Sequence, residues 1–205
     1  MKLTQLPSRH DHPTRKQPVS CFLIHTTGTS RLNEALDYYQ KKFGPHYLID
    51  WEGGAYQFVS EDQVAYHVGF NDVWEERCKK GWATWSRFVK DSDESLPETF
   101  SGYETWRKRW GERSPLDLIS GASPNGRSIG IECLEPRRTQ PDKFHDAQYA
   151  TLAELLRGLG AKYQVPLDRQ HLLGHYDATP WARCDVKGDR DPGERFNWDR
   201  LIASL

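Results

Sequence analysis

The hydrophobic pattern of this chain predicts an α/β fold, a sheet covered by helices within a single domain. Three observations carry that expectation. Residues 20–25 and 172–173 are short apolar runs of the buried-strand kind, and residues 128–134 alternate as a strand does. Between the last two, Tyr149, Leu152, Leu155, Leu156, Leu159 and Tyr163 line one face of a long helix. At 205 residues, the chain can fill one hydrophobic core and is short for two.

The elements follow in order. Residues 1–19 are polar, with Lys2, Arg9, His10, His12, Arg15 and Lys16 and no apolar stretch, and read as a surface arm. They are not a secretory leader, which would need an apolar core. After the strand at 20–25, Thr27-Gly28-Thr29-Ser30 breaks the run, with Ser30 a cap candidate for a helix. Leu32, Leu36, Tyr39 and Phe43 give that helix one apolar face, and Gly44-Pro45 stops it. Residues 46–50 and 55–59 flank Trp51-Glu52-Gly53-Gly54, whose glycines suit the turn of a hairpin. The long helix spans 146–163 and ends before Val165-Pro166, and a last helix begins near Trp198. Residues 71–126 differ: they hold Trp74, Trp82, Trp85, Trp106 and Trp110 among many charges and few aliphatics. This stretch reads as an insertion between two sheet strands, its rings forming a small core of their own with one or two facing the cleft.

Composition excludes several classes of function. Lys and Arg number 28 against 29 Asp and Glu, so no basic field points to nucleic acid or an anionic membrane. The mean hydropathy is −0.81, and no run approaches the ~18 apolar residues of a membrane helix. The cysteines Cys21, Cys78, Cys133 and Cys184 are scattered without a CxxC, which predicts free thiols rather than a disulfide framework. No HExxH occurs, so the common helix-borne zinc-protease arrangement is out.

Three segments end on metal-binding side chains: Phe22-Leu23-Ile24-His25, Leu172-Leu173-Gly174-His175 and Asp191-Pro192-Gly193. A buried strand that delivers a His at its end places the ring at the rim of a sheet. Two His and one Asp leave a position of a tetrahedral zinc open, as catalytic sites require. Singly, each has a plain alternative: His25 and His175 as core histidines, Asp191 as the start of an Asp-Pro-Gly turn. His10, His12 and His145 read as surface residues.

Together these segments resemble the zinc-dependent N-acetylmuramoyl-L-alanine amidases, a family that includes phage amidase-lysozymes, muropeptide-recycling enzymes and peptidoglycan recognition proteins. The resemblance rests on Phe22-Leu23-Ile24-His25-Thr26-Thr27, on His46-Tyr47-Leu48-Ile49-Asp50 with Gly53-Gly54 and Tyr56-Gln57-Phe58-Val59, and on Ala65-Tyr66-His67-Val68-Gly69. It continues in Asn125-Gly126-Arg127-Ser128-Ile129-Gly130-Ile131-Glu132, in Gly174-His175-Tyr176-Asp177 and in Asp191-Pro192-Gly193 with Phe196 and Trp198. These elements cover roughly residues 20–70, 125–135 and 170–200 in the family's order.

The resemblance implies a mixed central β-sheet flanked by helices in an amidase domain over residues 20–205, with one catalytic Zn²⁺ on His25, His175 and Asp191. It implies hydrolysis of the amide between N-acetylmuramic acid and L-alanine, in peptidoglycan or muropeptides. Glu132 would be the general base, Tyr47 would stand near the zinc-bound water, and His67 would contact substrate. In the recycling branch a lysine two residues before the metal aspartate stabilises the oxyanion. Here that position is Asp189, which leaves Lys187 or Arg190 to supply the charge. The spacing from His175 to Asp191 is longer than in that branch, and Asp185 or Cys184 would fit a shorter one; Asp191 is preferred because Asp-Pro-Gly and the trailing Phe-x-Trp accompany it. The expected partner is a peptidoglycan or muropeptide substrate, with no nucleic acid or membrane, and the expected state is a monomer. The expected location is cytoplasmic, or the cell wall reached without a signal peptide. Two other functions compete: a peptidoglycan-binding module that does not cut, and a zinc peptidase acting within the stem peptide.

Overall fold

The computed structural model describes residues 2–68, 124–136, 144–178, 191–193 and 195–205, with Tyr176 described by its backbone alone. The expected insertion lies almost wholly outside the described residues, as do Cys78, Cys184, Asp185, Lys187, Asp189 and Arg190. Six strands form one mixed sheet: β1 (Leu3–Gln5), β2 (Cys21–Thr26), β3 (Tyr47–Ile49), β4 (Ala55–Gln57), β5 (Ser128–Cys133) and β6 (Leu172–Gly174). Their order across the sheet is β1-β4-β3-β5-β2-β6, every pair parallel except the β3–β4 hairpin. This is the single α/β domain with a mixed sheet that the patterning and the resemblance predict.

Among the described residues, five helical segments accompany it: α1 (Leu32–Lys41), α2 (Pro124–Arg127), α3 (Asp146–Tyr163), α4 (His175–Ala178) and α5 (Trp198–Ala203). The bounds of α3 coincide with its hydrophobic period; it ends on Gln164, whose left-handed backbone (φ 57°) turns the chain out of the helix. The start of α1 differs from expectation. Its cap is Arg31, not Ser30, and the Thr29 hydroxyl accepts from the Arg31 N–H (3.2 Å). No helix among the described residues is long and apolar enough to cross a membrane.

Strand alternation sorts the buried residues onto two faces. Phe22 and Ile24, Tyr47 and Ile49, and Ile129, Ile131 and Cys133 pack with Tyr149, Leu152, Leu156 and Leu159 of α3 in the main core. Leu48 points the other way, packing with Ala35 and Tyr39 of α1 and with Phe58 and Val59. His25, Gly130 and Glu132 belong to that second face by the same alternation. The free Cys21 and Cys133 are buried, and burial pushes the Cys21 thiol up to about 12.

Residues 2–19 take a larger part than a surface arm would. Leu3–Gln5 pairs in parallel with β4 at the sheet edge, and Thr14 bridges Gln63. His12 is buried, its Nδ1 3.0 Å from the Val64 carbonyl. The Arg15 guanidinium donates to five backbone carbonyls: Glu61 (3.0 Å), Asn125 (3.4 Å), Gly126 (2.8 Å), Gln63 (3.0 Å) and Ser128 (3.0 Å). A planar fork with five N–H groups suits such a ring of carbonyl dipoles.

Glu61 is the second polar junction, on the α3 side. It accepts from the Tyr47 hydroxyl, from Lys162 Nζ (2.6 Å) and from the Tyr163 hydroxyl (2.8 Å), joining β3 to the end of α3. Burial pushes its carboxyl up, but the bonds from Lys162, Tyr47 and Tyr163 outweigh that and hold it below the usual 4.5. A depressed carboxylate stabilises the fold fully above its unfolded value and ceases to do so as pH falls through its folded value. Glu61→Gln should therefore cost about 1–3 kcal/mol at neutral pH, the range for hydrogen bonds to a charged group. The difference between the two proteins should shrink as pH drops below 4.5, read from denaturant unfolding at a series of pH values. A pH-independent difference would show that the charge is not what Glu61 contributes.

Candidate metal centre

Strands β5, β2 and β6 lie side by side and parallel, so their carboxyl ends meet at one edge, where open α/β sheets bind ligands. His25 is the penultimate residue of β2 and pairs in register with Glu132 of β5. His175 follows β6 directly and opens α4. The α4 turn is fixed by Asp177, whose Oδ2 accepts from the Gly174 N–H (2.8 Å) and from Arg169 (3.1 Å). Asp191 is brought against the end of β6 by direct packing. A Cβ on Gly174 would stand 2.7 Å from Pro192 Cδ and 2.9 Å from the Asp191 carbonyl oxygen, so only glycine permits that approach.

The two imidazoles and the carboxylate converge on one point. Asp191 Oδ2 lies 3.1 Å from His25 Nδ1 and 3.2 Å from His175 Nδ1, and the three ligand atoms fall within 4.8 Å of one another. Donors ~2.0–2.1 Å from a tetrahedral zinc stand roughly 3.3 Å apart, so the nitrogen–oxygen separations fit one ion. Asp191 Oδ1 is occupied by the Thr26 N–H (2.6 Å), which leaves Oδ2 turned to both rings. All three residues are buried. Burial pushes the Asp191 carboxyl up, but His25 and His175 overcome it and hold the group well below the carboxylate range. Two imidazole nitrogens and a carboxylate oxygen set this close could hold one metal ion between them.

Glu132 is beside this cluster and buried, its carboxylate on the same face of the sheet as His25. Burial raises the Tyr39 hydroxyl above its usual pKa, with the Glu132 charge and a hydrogen bond to Glu132 adding to it; the Tyr39 hydroxyl thus donates to that carboxylate. His67 also joins the cluster, its Nδ1 3.0 Å from His25 Nε2. It is buried, as His25, His175, Asp191 and Glu132 are. Its loop is clamped by Asn125, whose Oδ1 accepts from the His67 (3.1 Å) and Val68 (2.9 Å) N–H groups and whose Nδ2 donates to the Val68 carbonyl (2.9 Å). Burial, then the neighbouring His25, His46 and His175, drives His67 well below the usual histidine pKa and keeps it neutral.

The structure does not bring Tyr47 to this cluster. Its side chain lies in the α3-side core and its hydroxyl is held by Glu61. The residue before it, His46, faces the site side instead: it accepts the Gly130 N–H on Nδ1 (3.0 Å), and its ring stands 5.9 Å from that of His67. Burial, helped by Arg15, lowers His46 to about 3, so it is neutral, and its Nε2–H points to the Gln63 carbonyl (3.2 Å). Arg15 and His46 support the site without standing out in the sequence, because a basic residue in a polar arm and a histidine before an apolar run look like surface groups. Lys187 lies outside the described residues.

Comparisons with known proteins agree with this fold. A sequence profile of the N-acetylmuramoyl-L-alanine amidase family matches residues 15–194. The chain belongs to that family. It is similar to the 1,6-anhydro-N-acetylmuramyl-L-alanine amidase AmpD of Haemophilus influenzae, 37% identical over 81 residues, which is 40% of this chain and 39% of that protein. Among solved structures, it is similar to the endolysin amidase LysCS from Clostridium intestinale URNW, with 16% identity, a TM-score of 0.56 and coverage of 100% of this chain and 95% of the other. It is also similar to AmiD from E. coli, solved with anhydro-N-acetylmuramic acid-L-Ala-D-gamma-Glu-L-Lys, with 20% identity, a TM-score of 0.57 and coverage of 96% and 61%.

Gly130 is the position where the centre is most sensitive to added bulk. A Cβ there would lie 2.3 Å from the His67 ring, too close to be relieved without moving the ring. Gly130→Ala should cost about 1–3 kcal/mol, the range for overpacking a filled interior. Thermal unfolding checks this, and an unchanged midpoint would mean that the ring shifts freely.

Proposed function

We propose that this protein hydrolyses the amide bond between the lactyl group of N-acetylmuramic acid and L-alanine, with zinc held by His25, His175 and Asp191. The observation that carries this reading is the convergence of those three side chains beside a carboxylate on the neighbouring strand. Membership of the amidase family supplies the bond; the site supplies the means. The donor set of two neutral imidazole nitrogens and one carboxylate oxygen suits zinc and leaves a coordination position open. When bound, zinc supplies Lewis acidity, which acidifies water and polarises an amide carbonyl.

The chain's own residues do the rest. Glu132 takes a proton from the attacking water, whose oxygen forms the new bond to the carbonyl carbon. As the carbon–nitrogen bond breaks, Glu132 passes that proton to the departing nitrogen of L-alanine. The products are the lactyl carboxylate and a stem peptide with a free amino end. The Tyr39 hydroxyl holds Glu132 in place from α1, and burial of the cluster keeps bulk water from competing for the proton. Peptidoglycan strands and soluble muropeptides both contain this bond.

Purified protein should contain about one zinc per chain, and a chelator should stop release of stem peptide until zinc is restored. Full activity in a metal-free preparation would overturn the zinc reading. His175→Ala should lose both zinc and turnover, while Glu132→Gln keeps zinc and loses at least ~100-fold in turnover, the lower end for general acid–base catalysis. Loss of zinc from both variants would make Glu132 part of the metal support. Mass analysis of the products distinguishes the chemistry: a lactyl carboxylate supports amidase action, cleavage between stem residues supports a peptidase, and binding without products supports a recognition module.

A further inference from the structure

His67 was expected to meet the substrate, yet it is buried under the metal cluster, and its two ring nitrogens are both engaged within the protein. The direction of each bond follows from the far end of the chain. The Pro124 carbonyl can only accept, and the Ser128 hydroxyl lies 2.7 Å from it, the usual length for O–H···O. Ser128 therefore gives its one proton to Pro124. The longer contact of the same hydroxyl, 3.2 Å to His67 Nε2, must then be one in which Ser128 accepts. A neutral His67 that donates from Nε2 has a bare lone pair on Nδ1. That lone pair faces His25 Nε2 at 3.0 Å, so His25 carries its proton on Nε2. What is left on His25 is the Nδ1 lone pair, the atom that faces Asp191 Oδ2.

We propose that His67 and Ser128 form a one-way hydrogen-bond relay from the Pro124 carbonyl that fixes His25 as its Nε2–H tautomer and so presents Nδ1 to the metal. His67 is then a positioning residue for a metal ligand, not a substrate contact. The inference rests on the zinc reading above and goes beyond it by assigning the proton positions that make the site ready for a cation. Metal-ligating histidines commonly donate their second N–H to a carboxylate, carbonyl or water; here another imidazole is the acceptor. Space for that ring is reserved by Gly130, where any side chain would collide with it. Asn125 fixes the backbone of the same loop, and Arg15 grips the carbonyls of Asn125, Gly126 and Ser128 from below. The relay thus starts from a backbone carbonyl, with the backbone around it held by Asn125 and Arg15.

Two measurements test it. Long-range ¹H–¹⁵N correlation spectra of the zinc-loaded, unmodified protein should show His67 protonated on Nε2 and bare on Nδ1; the opposite tautomer overturns the relay. Competition with a chelator should show zinc held about 10–100-fold more weakly by His67→Ala, the usual effect of removing a ligand's outer partner. His67→Asn, whose amide oxygen stands near the place of Nδ1, should recover most of that loss. Ser128→Ala should fall between the two. Equal zinc affinity in His67→Ala and the unmodified protein, or a His67→Asn variant as weak as His67→Ala, overturns the proposal while leaving zinc catalysis intact. Unmodified protein that takes up no zinc would instead sink the metal reading, and the tautomer of His67 in its spectrum would still decide the relay.

Discussion

The Asp191 carboxylate, buried with two imidazole nitrogens facing one of its oxygens, is the interaction on which the rest of the site depends. A carboxylate taken out of water costs several kcal/mol unless it is matched by positive charge and hydrogen bonds. Around it stand the two imidazole nitrogens on Oδ2 and the Thr26 N–H, which donates to Oδ1. The consequence is structural as much as chemical. To satisfy Asp191, the C-terminal segment must dock against the ends of β2 and β6, two strands far apart in sequence, and Gly174 must remain bare to admit it.

The sheet separates two kinds of interior. On the α3 side, aliphatic and aromatic side chains form a conventional core, and its chief polar junction, Glu61, sits at the margin where Lys162 can reach it. On the other side, charged and polar groups are buried near the strand ends, each with directed partners. Arg15 is spread over five carbonyls, His46 is tied to the Gly130 N–H, and Asn125 uses both ends of its amide on one loop. Such a network is costly if any member goes unsatisfied and rigid when all are paired. Rigidity is useful at a metal centre, where ligand geometry must be held to within about 0.5 Å.

What the sequence made legible follows from the same division. His25, Glu132, His175 and Asp191 each stand where an apolar run ends or a turn begins, and family order linked them. The α3 boundaries could be read because one helix face is apolar and the other is not. The facing of β3 could not, because Tyr47, Leu48 and Ile49 are all buried, so alternation carries no contrast of apolar against polar. That is how Tyr47 came to be expected near the metal while His46 holds the site side. The edge strand Leu3–Gln5 and the cradle of Arg15 were hidden for a different reason: backbone carbonyls and strand pairing are their partners, and neither leaves a mark in side-chain pattern. His67 showed its presence but not its depth, which is set by a missing Cβ at Gly130.

In the proposed mechanism metal binding and proton transfer fall to two different acids, and the pairing of His25 with Glu132 is what keeps them apart. Asp191 is committed to the imidazoles and the Thr26 N–H, so it has no freedom to carry a proton through a reaction cycle. Glu132 is outside that cluster, on the next strand, its backbone about 4.8 Å from that of His25 by the spacing of paired strands. Its position is fixed by a continuous parallel ladder rather than by a loop, with Tyr39 bracing it from α1. The proposed division of labour between the two acids therefore rests on strand register, and the register comes from the unbroken apolar face beneath it.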